Sequence, residues 1–255
     1  MRTVWIVGRN TFKEVIRDRI LYGLIVFAVM IISVSLALGQ LSFAEQSRIS
    51  ANFGLAAIHI GAICIAIFVG STLVMKELDK QTILTILVRP ITRAEFIIGK
   101  FVGLALVIAS VMVGLGAVLA LVFYLIGLNI TIDLLIALMG IFLESLCLLG
   151  FAMLFSMFTR PVLVVSFSAG IFLIGHWFSS LRYFAQKAPQ TFIYWVYEIL
   201  RFVIPDFETF NWKNLVVYQD KASDYQIGSS SVYAFLWIGI LVILTAVIFE
   251  RKDLV

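Results

Sequence analysis

Long apolar runs separated by short polar segments make up most of the chain. A transmembrane helix needs about 20 apolar residues to cross the hydrocarbon core of a bilayer. Six runs reach that length, and they are predicted at Ile20–Leu41, Ala56–Met75, Phe101–Leu128, Leu134–Phe158, Val162–Leu181 and Val232–Phe249. Segments of alternating apolar and polar residues, typical of an outer-membrane barrel, are absent from the sequence. The pattern predicts an all-α, polytopic membrane protein in which residues 1–255 form one transmembrane domain.

Composition and charge agree with this prediction. Hydrophobic residues make up 62% of the chain and charged residues 13%, which excludes an ordinary soluble globular protein. The formal net charge is +4, but the basic residues are not gathered into a soluble domain, so we expect no nucleic-acid partner. Most of them fall in short segments on the same side of the membrane as the N-terminus. Basic residues in short loops carry the most weight in the positive-inside rule. Both termini are therefore predicted to be cytoplasmic.

The start of the chain, residues 1–19, is predicted to form a helix that lies in the membrane interface. Its apolar residues share one face of a helical wheel, and its basic residues form a stripe on another face, beside the anionic lipid headgroups. The apolar face consists of Val4, Trp5, Phe12, Val15 and Ile16, and the basic stripe of Arg2, Arg9, Lys13 and Arg17. The alternative is a solvated basic start that only sets the topology.

The segment of residues 76–100 is too charged to cross the membrane and carries helix signals of its own. Pro90 interrupts it, and Thr92 is placed to cap a helix that contains Glu95. A short amphipathic helix here would offer apolar side chains and a charged rim to a cytoplasmic partner. The alternative is a topological loop with ordinary helix caps.

The last outer loop, residues 182–231, contains an aromatic-rich stretch between Pro189 and Pro205 that is too short to span the membrane. Aromatic residues of this kind settle at the membrane–water boundary. We predict a pair of short re-entrant or interfacial helices that close the outer mouth, and the alternative is a loop lying on the surface. The remainder, Asp206–Ser231, has no role that its sequence indicates.

Candidate chemistry is sparse. The phosphate-loop pattern G-x-x-x-x-G-K-[ST] is absent, as are H-E-x-x-H and G-x-S-x-G, so no catalytic residue and no ATP site is predicted in this chain. Cys64 and Cys147 lie in apolar runs and are predicted to be buried small hydrophobes. Each of the two histidines, His59 and His176, is alone in its helix, which favours packing or lining the mouth over metal binding.

Glu144 lies near the middle of the fourth predicted span, where an unpaired carboxylate costs several kcal/mol. It must therefore face the bundle interior, a partner subunit or a wet cavity. A substrate or proton site is the functional interpretation, and a hydrogen-bonded packing role is the structural one.

Three stretches together resemble the integral-membrane permeases of ABC exporters, the type-two permease family. They are FKEVIRDRI at Phe12–Ile20, MKELDKQTILTILVRPITRAEFIIGKFVG at Met75–Gly103, and the closing FERKDLV. Their order, with six predicted spans and a long last outer loop, extends the resemblance over essentially the whole chain. Within the family the chain looks closest to the permeases grouped with multicopper-enzyme maturation.

The resemblance implies roles for the segments outside the membrane. The amphipathic start corresponds to the elbow helix of the family, with Arg9, Lys13, Glu14 and Arg17. The polar loop corresponds to the region that couples to the ATPase, with Glu77, Thr82, Arg89, Pro90, Arg93 and Glu95. The aromatic stretch corresponds to outer gate helices, with Tyr194, Trp195, Tyr197, Glu198 and Arg201.

The resemblance also implies the assembly and the location. It predicts a half-transporter in a prokaryotic cytoplasmic (inner) membrane that pairs with a second copy of itself or a paralogous permease. A separate cytoplasmic ATPase would bind the ATP and Mg²⁺, this chain would hold no cofactor, and a periplasmic accessory protein is compatible with this arrangement. The alternative function is a proton-coupled secondary transporter that uses Glu144, although the internal repeats of such proteins are absent from the sequence. A lipid-modifying intramembrane enzyme is a third class, which the missing catalytic pair argues against.

Overall fold

The computed structural model describes residues 2–40, 45–79, 92–128, 131–187, 192–217 and 224–251. These residues form helices and connecting turns, and they contain no strand. The α-helices, in chain order, are α1 (Arg2–Ile16), α2 (Arg19–Gln40), α3 (Gln46–Asp79), α4 (Arg93–Leu125), α5 (Ile132–Ser156), α6 (Pro161–His176), α7 (Phe178–Lys187), α8 (Phe192–Val203), α9 (Lys213–Val217) and α10 (Asp224–Arg251). A 3-10 turn, Phe207–Phe210, precedes α9. The all-α class predicted from the sequence is confirmed.

Within the described residues, four helices are long and apolar enough to cross a membrane, and they lie in α3, α4, α5 and α10. A fifth crossing is formed if α6 and α7 are counted as one span that bends by 53° at their junction. The sequence predicted one unbroken run there, Val162–Leu181, but α6 ends at His176 and Trp177 separates it from α7. In α2, the apolar helix found among the described side chains is Arg19–Ser35, which is shorter than the other spans. A sixth crossing therefore stays a prediction.

Helices α3 and α5 form the centre of the bundle. Every side chain from Leu143 to Met153 of α5 is buried, which is typical of a helix surrounded by other helices on all sides. Helix α3 packs against α2, α4, α5 and α6, and α10 packs against α4 and α5. The residues between positions 143 and 153 are apolar except for Glu144 and Ser145. The central helix thus carries one carboxylate, that of Glu144, into the core.

Helix α1 packs along the beginning of α4 through small residues. A Cβ atom on Gly103 would lie 2.5 Å from the carbonyl oxygen of Gly8 and 2.7 Å from Cβ of Thr11. Because glycine has no side chain, the two backbones approach closely there, as small residues allow in membrane helices. Trp5 and Ile6 are exposed on another face of α1. The predicted helix at the start of the chain is present, and its place in the membrane interface stays a prediction.

Replacing Gly103 with leucine is expected to separate α1 from α4, because the new side chain overlaps backbone atoms that cannot rotate away. We expect a loss of about 2 kcal/mol in the free energy of unfolding, measured by thermal unfolding in detergent micelles. Gly114→Leu is the matched control on the same helix, because nothing lies within 4 Å of a Cβ atom there. Equal losses in the two variants would contradict this account of the α1–α4 contact.

The chain after α8 enters the bundle. The segment Asp206–Val217, called the inserted segment below, contacts α3, α5 and α6 through its 3-10 turn and α9. It buries five apolar side chains: Phe207, Phe210, Trp212, Leu215 and Val217. Gly140 of α5 makes room for it, because a Cβ atom there would collide with the carbonyl oxygen of Phe210 and lie 3.0 Å from the Trp212 ring.

Candidate functional site: a buried polar cluster

Glu144 does not stand alone in the core. Its side chain is 1% exposed, and its Oε2 atom lies 2.9 Å from Nε2 of His59, which comes from α3. The two residues are 85 positions apart in the chain, and the packing of α3 against α5 brings them together. A buried carboxylate is stable only when it is paired or hydrogen-bonded, and His59 supplies one such contact.

His176, at the C-terminal end of α6, approaches the other oxygen of the same carboxylate. Its Nε2 atom lies 3.5 Å from Glu144 Oε1, and its Nδ1 atom lies 3.2 Å from the carbonyl oxygen of Phe172. A carbonyl oxygen only accepts hydrogen bonds, so Nδ1 carries a proton and donates it to Phe172. Glu144 Oε1 is buried and has no hydrogen-bond partner among the described residues.

Lys213, the first residue of α9, contacts the cluster from the inserted segment. Its Nζ atom lies 2.6 Å from Nδ1 of His59. Burial lowers the pKa of Lys213, and the nearby carboxylates of Glu144 and Glu208 raise it in part. A protonated lysine can only donate, so Nδ1 of His59 accepts from it and Nε2–H donates to Glu144. A hydrogen-bonded chain thus joins the inserted segment to the centre of the bundle.

Aromatic rings surround the two imidazoles. The ring of Phe172 lies 4.6 Å from that of His176 and 5.9 Å from that of His59, measured between centroids. Phe207 of the inserted segment lies 5.9 Å from the His176 ring. These rings limit access of water to the cluster, which strengthens the electrostatic interactions within it.

The inserted segment is also held at its beginning. The backbone N–H of Asp206 donates to the hydroxyl of Tyr233, at 3.1 Å, and the Asp206 carboxylate accepts from the N–H of Glu208. Burial raises the pKa of Asp206, and its hydrogen bond to Glu208 opposes that shift.

The cluster has the composition of a metal site. One ligand atom from each of His59, Glu144 and His176 can be chosen so that all three lie within 4.8 Å of one another. Two imidazoles and a carboxylate form a common ligand set for divalent transition metals.

The opposite end of the bundle, where α4 begins and α10 ends, is called the basal end below. Thr92 caps α4 with a complete capping box, because its side chain accepts from the N–H of Glu95 and the Glu95 carboxylate accepts from the N–H of Thr92. The cap predicted from the sequence is confirmed. Nη1 of Arg93 donates to the carbonyl oxygens of Phe249 and Glu250, at 3.2 and 3.0 Å. These carbonyls belong to the last turn of α10, where a positive charge is stabilising.

Of the other residues assigned to coupling, the structure describes only some. Glu77 lies in α3, and Thr82, Arg89 and Pro90 lie outside the described residues. Lys100 of α4 is buried, with Nζ 3.8 Å from the Glu14 carboxylate of α1. Arg9, Lys13, Glu14 and Arg17 are exposed.

Comparison with known proteins decides the family. The family model described as "ABC-2 family transporter protein" matches residues 5–254. This chain belongs to the ABC-2 transporter family. It is also similar to the probable ABC transporter permease protein NosY of Stutzerimonas stutzeri, with 28% identity over 160 residues. The match covers 60% of this chain and 57% of that relative. The protein is therefore a multi-pass transmembrane subunit of an ABC transporter.

The residues assigned to an outer gate lie on α8 of the permease. Trp195 and Arg201 are exposed, and Tyr194, Tyr197 and Glu198 are half-buried. Tyr197 contacts the ring of Phe178 on α7, and Arg201 pairs with Glu198 at 3.1 Å. Helices α7 and α8 thus form a helix pair, and its role as a gate stays a prediction. The segment that enters the bundle comes after this pair.

Sequence reasoning missed the cluster of the permease. The interpretation of His59 and His176 as residues that pack or line the mouth treated each helix alone, whereas both rings face Glu144. One signal was present, since the chain has only two histidines and both lie in apolar runs, as Glu144 does. Ionisable residues inside a membrane usually pair with one another, so the presence of these three residues in apolar runs favoured a common site.

Proposed function

We propose that this permease is the membrane half of an ATP-driven exporter, which moves its substrate across or out of the cytoplasmic membrane with ATP hydrolysed by a separate ATPase subunit. The family implies the ATPase partner, and two permease chains would form the complete pathway. ATP and Mg²⁺ bind in the partner, and this chain contributes the pathway and the surface that receives movement.

The observation that carries the proposal is the anchorage of the basal end. The predicted coupling segment, residues 76–100, connects α3 to α4. The start of α4 is tied to α10 by Arg93 and to α1 through Gly103, so a push on the segment reaches three helices at once. Its other end continues directly into α3, which carries His59. Movement of the ATPase would therefore act on both sides of the bundle, which is the coupling that an ABC transporter needs.

Cysteine cross-linking tests the docking of the ATPase. Cys64 and Cys147 are first replaced with alanine, and single cysteines are then introduced as Thr82→Cys and, for the control, Trp195→Cys on α8. We expect Thr82→Cys to cross-link in membranes to a chain that carries a phosphate loop and binds ATP, and ATP to change the yield. A complex that cross-links at Trp195→Cys instead, or transport by the permease alone, would overturn the proposal.

Arg93→Gln is expected to loosen the basal end. The variant loses the charged hydrogen bonds to Phe249 and Glu250, so we expect a loss of about 1.5 kcal/mol in the free energy of unfolding. ATP hydrolysis by the purified complex should become less dependent on the permease, because movement of the ATPase is no longer transmitted from the start of α4 to α10. Arg201→Gln, which breaks only an exposed pair with Glu198, should leave both unchanged. A loss of stability without uncoupling would limit Arg93 to a structural role.

A proton-coupled secondary transporter is the second candidate, and the contact between Glu144 and His59 favours it. The two functions predict opposite energy requirements. Transport that needs a proton gradient but no ATP, and that is abolished by Glu144→Gln, would select the second candidate over the first.

A further inference from the structure

We propose that His59, Glu144 and His176 bind a divalent transition-metal ion of the zinc type inside the bundle. The proposal does not depend on ATP or on the direction of transport, and it concerns a site that is far from the predicted ATPase contact. It begins from the unpartnered oxygen of Glu144.

Glu144 Oε1 is buried without a hydrogen-bond partner in the described part of the chain, where the basic atom facing it is His176 Nε2, at 3.5 Å. Because Nδ1 of His176 donates to Phe172, a neutral ring presents an unprotonated Nε2 to this oxygen. Two acceptors then face each other in a buried site, and a cation that both can bind satisfies them together. A metal ion does this and also reaches Nε2 of His59, which lies against the second oxygen, once that nitrogen gives up the proton it donates to Glu144 and the ring proton resides on Nδ1.

The ligand atoms select the class of ion. Two imidazole nitrogens and a carboxylate oxygen suit Zn²⁺ and the neighbouring divalent ions Co²⁺ and Ni²⁺. Mg²⁺ and Ca²⁺ require shells of oxygen ligands, and Cu⁺ favours thiolate and thioether sulfur, which this ligand set lacks. The fourth position would remain open to water or to a transported ligand, as in zinc sites with three protein ligands.

The spacing of the ligand atoms is near that of a bound ion. Zinc–ligand bonds of about 2.1 Å in a tetrahedron place the ligand atoms about 3.4 Å apart. The contacts of the two imidazoles with the carboxylate lie on either side of this value, at 2.9 Å from His59 Nε2 to Oε2 and 3.5 Å from His176 Nε2 to Oε1. With one atom taken from each residue, the three ligand atoms lie within 4.8 Å of one another. His59 and His176 come from separate helices that both pack against α5. Small rotations of their side chains would therefore bring both imidazoles to bonding distance from one ion.

The outer contacts of the two imidazoles differ in a way that makes the proposal testable. His176 donates Nδ1–H to a backbone carbonyl, the usual second contact of a metal-binding histidine. His59 instead has the ammonium of Lys213 at Nδ1, and this positive charge repels a dication. Lys213 should therefore weaken the binding of the metal ion, whereas the three ligand residues should each be required for it.

The full-length chain, purified in detergent with a tag that contains no histidine and treated with a chelator, is titrated with Co²⁺ and then Zn²⁺. We expect one Co²⁺ per chain, visible absorption bands of a four- or five-coordinate nitrogen–oxygen site, and their loss when Zn²⁺ displaces the cobalt. His59→Gln, Glu144→Gln and His176→Gln should each weaken binding at least about 100-fold.

Lys213→Gln should tighten binding by about tenfold, because it removes the repelling charge while leaving a group that accepts from Nδ1–H. Glu198→Gln, which removes a half-buried carboxylate on α8 outside the cluster, is the matched control and should leave the Kd unchanged. Circular dichroism and gel filtration check the fold of each variant.

Wild-type protein that gives no cobalt bands and binds no stoichiometric Zn²⁺ would overturn the proposal and leave a proton as the cation between Glu144 and His176. Retention of the site in all three glutamine variants would overturn it as well. If the variants do not fold, X-ray absorption of the zinc-loaded wild type decides, because it must show nitrogen and oxygen ligands with imidazole scattering. Failure of any of these tests leaves the cross-linking to the ATPase, and thus the proposed function, unaffected.

Discussion

Replacing Glu144 with alanine is expected to lower the free energy of unfolding by about 3 kcal/mol and to release the inserted segment from the bundle. The carboxylate is buried, contacts His59 directly and balances the charge of Lys213. Without it, the ammonium of Lys213 remains in a poorly solvated site, and moving the segment outward is the simplest way to hydrate it. Thermal unfolding of chelator-treated protein in micelles measures the loss, and cleavage by trypsin at Lys213 reports the release.

A double-mutant cycle separates lost charge balance from lost packing. Glu144→Ala combined with Lys213→Met should recover part of the lost stability, because the second change removes the orphan charge. Glu198→Ala, in which the half-buried carboxylate paired with Arg201 is lost from α8, should cost less than about 1 kcal/mol. Additive losses in the double variant, together with protection of Lys213 from trypsin in the Glu144→Ala single variant, would contradict the electrostatic link between the segment and the core.

Gly140→Leu is the second change with a large expected effect. The added side chain occupies the space of the Phe210 carbonyl and the Trp212 ring, so the inserted segment cannot remain in place. We expect a loss of about 2 kcal/mol or more in the free energy of unfolding. A cysteine placed at Leu215, which is buried in the wild-type chain, should become reactive toward a membrane-impermeant maleimide.

Gly170→Leu on α6 is the control, because a Cβ atom there meets nothing within 4 Å. Labelling of Leu215→Cys should be slow in this control and in the chain that retains Gly140. Slow labelling in Gly140→Leu would mean that the segment adapts within the bundle. The Gly140 and Glu144 variants reach the same state by steric and electrostatic routes, so agreement between them would show that packing and charge both hold the segment.

The two ends of the permease differ in how readily the sequence predicts them. At the basal end, the capping box of Thr92 and Glu95 is a local pattern over four residues, so it was predicted and is present. The contact of Arg93 with the end of α10 spans 156 positions, and no local pattern contains it. Its prediction required knowing that the first and last parts of the bundle meet.

At the other end, the aromatic stretch of α8 led to the prediction of a pair of short re-entrant or interfacial helices, which stays a prediction, whereas the segment that enters the bundle begins at Asp206. Tyr194 and Trp195 are concentrated in one short stretch and therefore conspicuous. The buried residues Phe207, Phe210 and Trp212 are spaced among polar ones. Burial of that spaced set depends on the groove beside Gly140, and the groove exists only after α3, α5 and α6 have packed.

The sequence was sufficient to predict a helical membrane protein, because apolar length and charge placement are summed along the chain and need no partner. It also carried the family resemblance. The contacts of Glu144 became visible only in the folded chain, since His59 lies 85 positions before it and Lys213 lies 154 positions after His59. A buried charge needs partners, but the sequence of its own helix does not indicate which residues they are. The packing of the helices and the inserted segment places His59, His176 and Lys213 at the same depth in a core with little water, and this makes them the partners of Glu144.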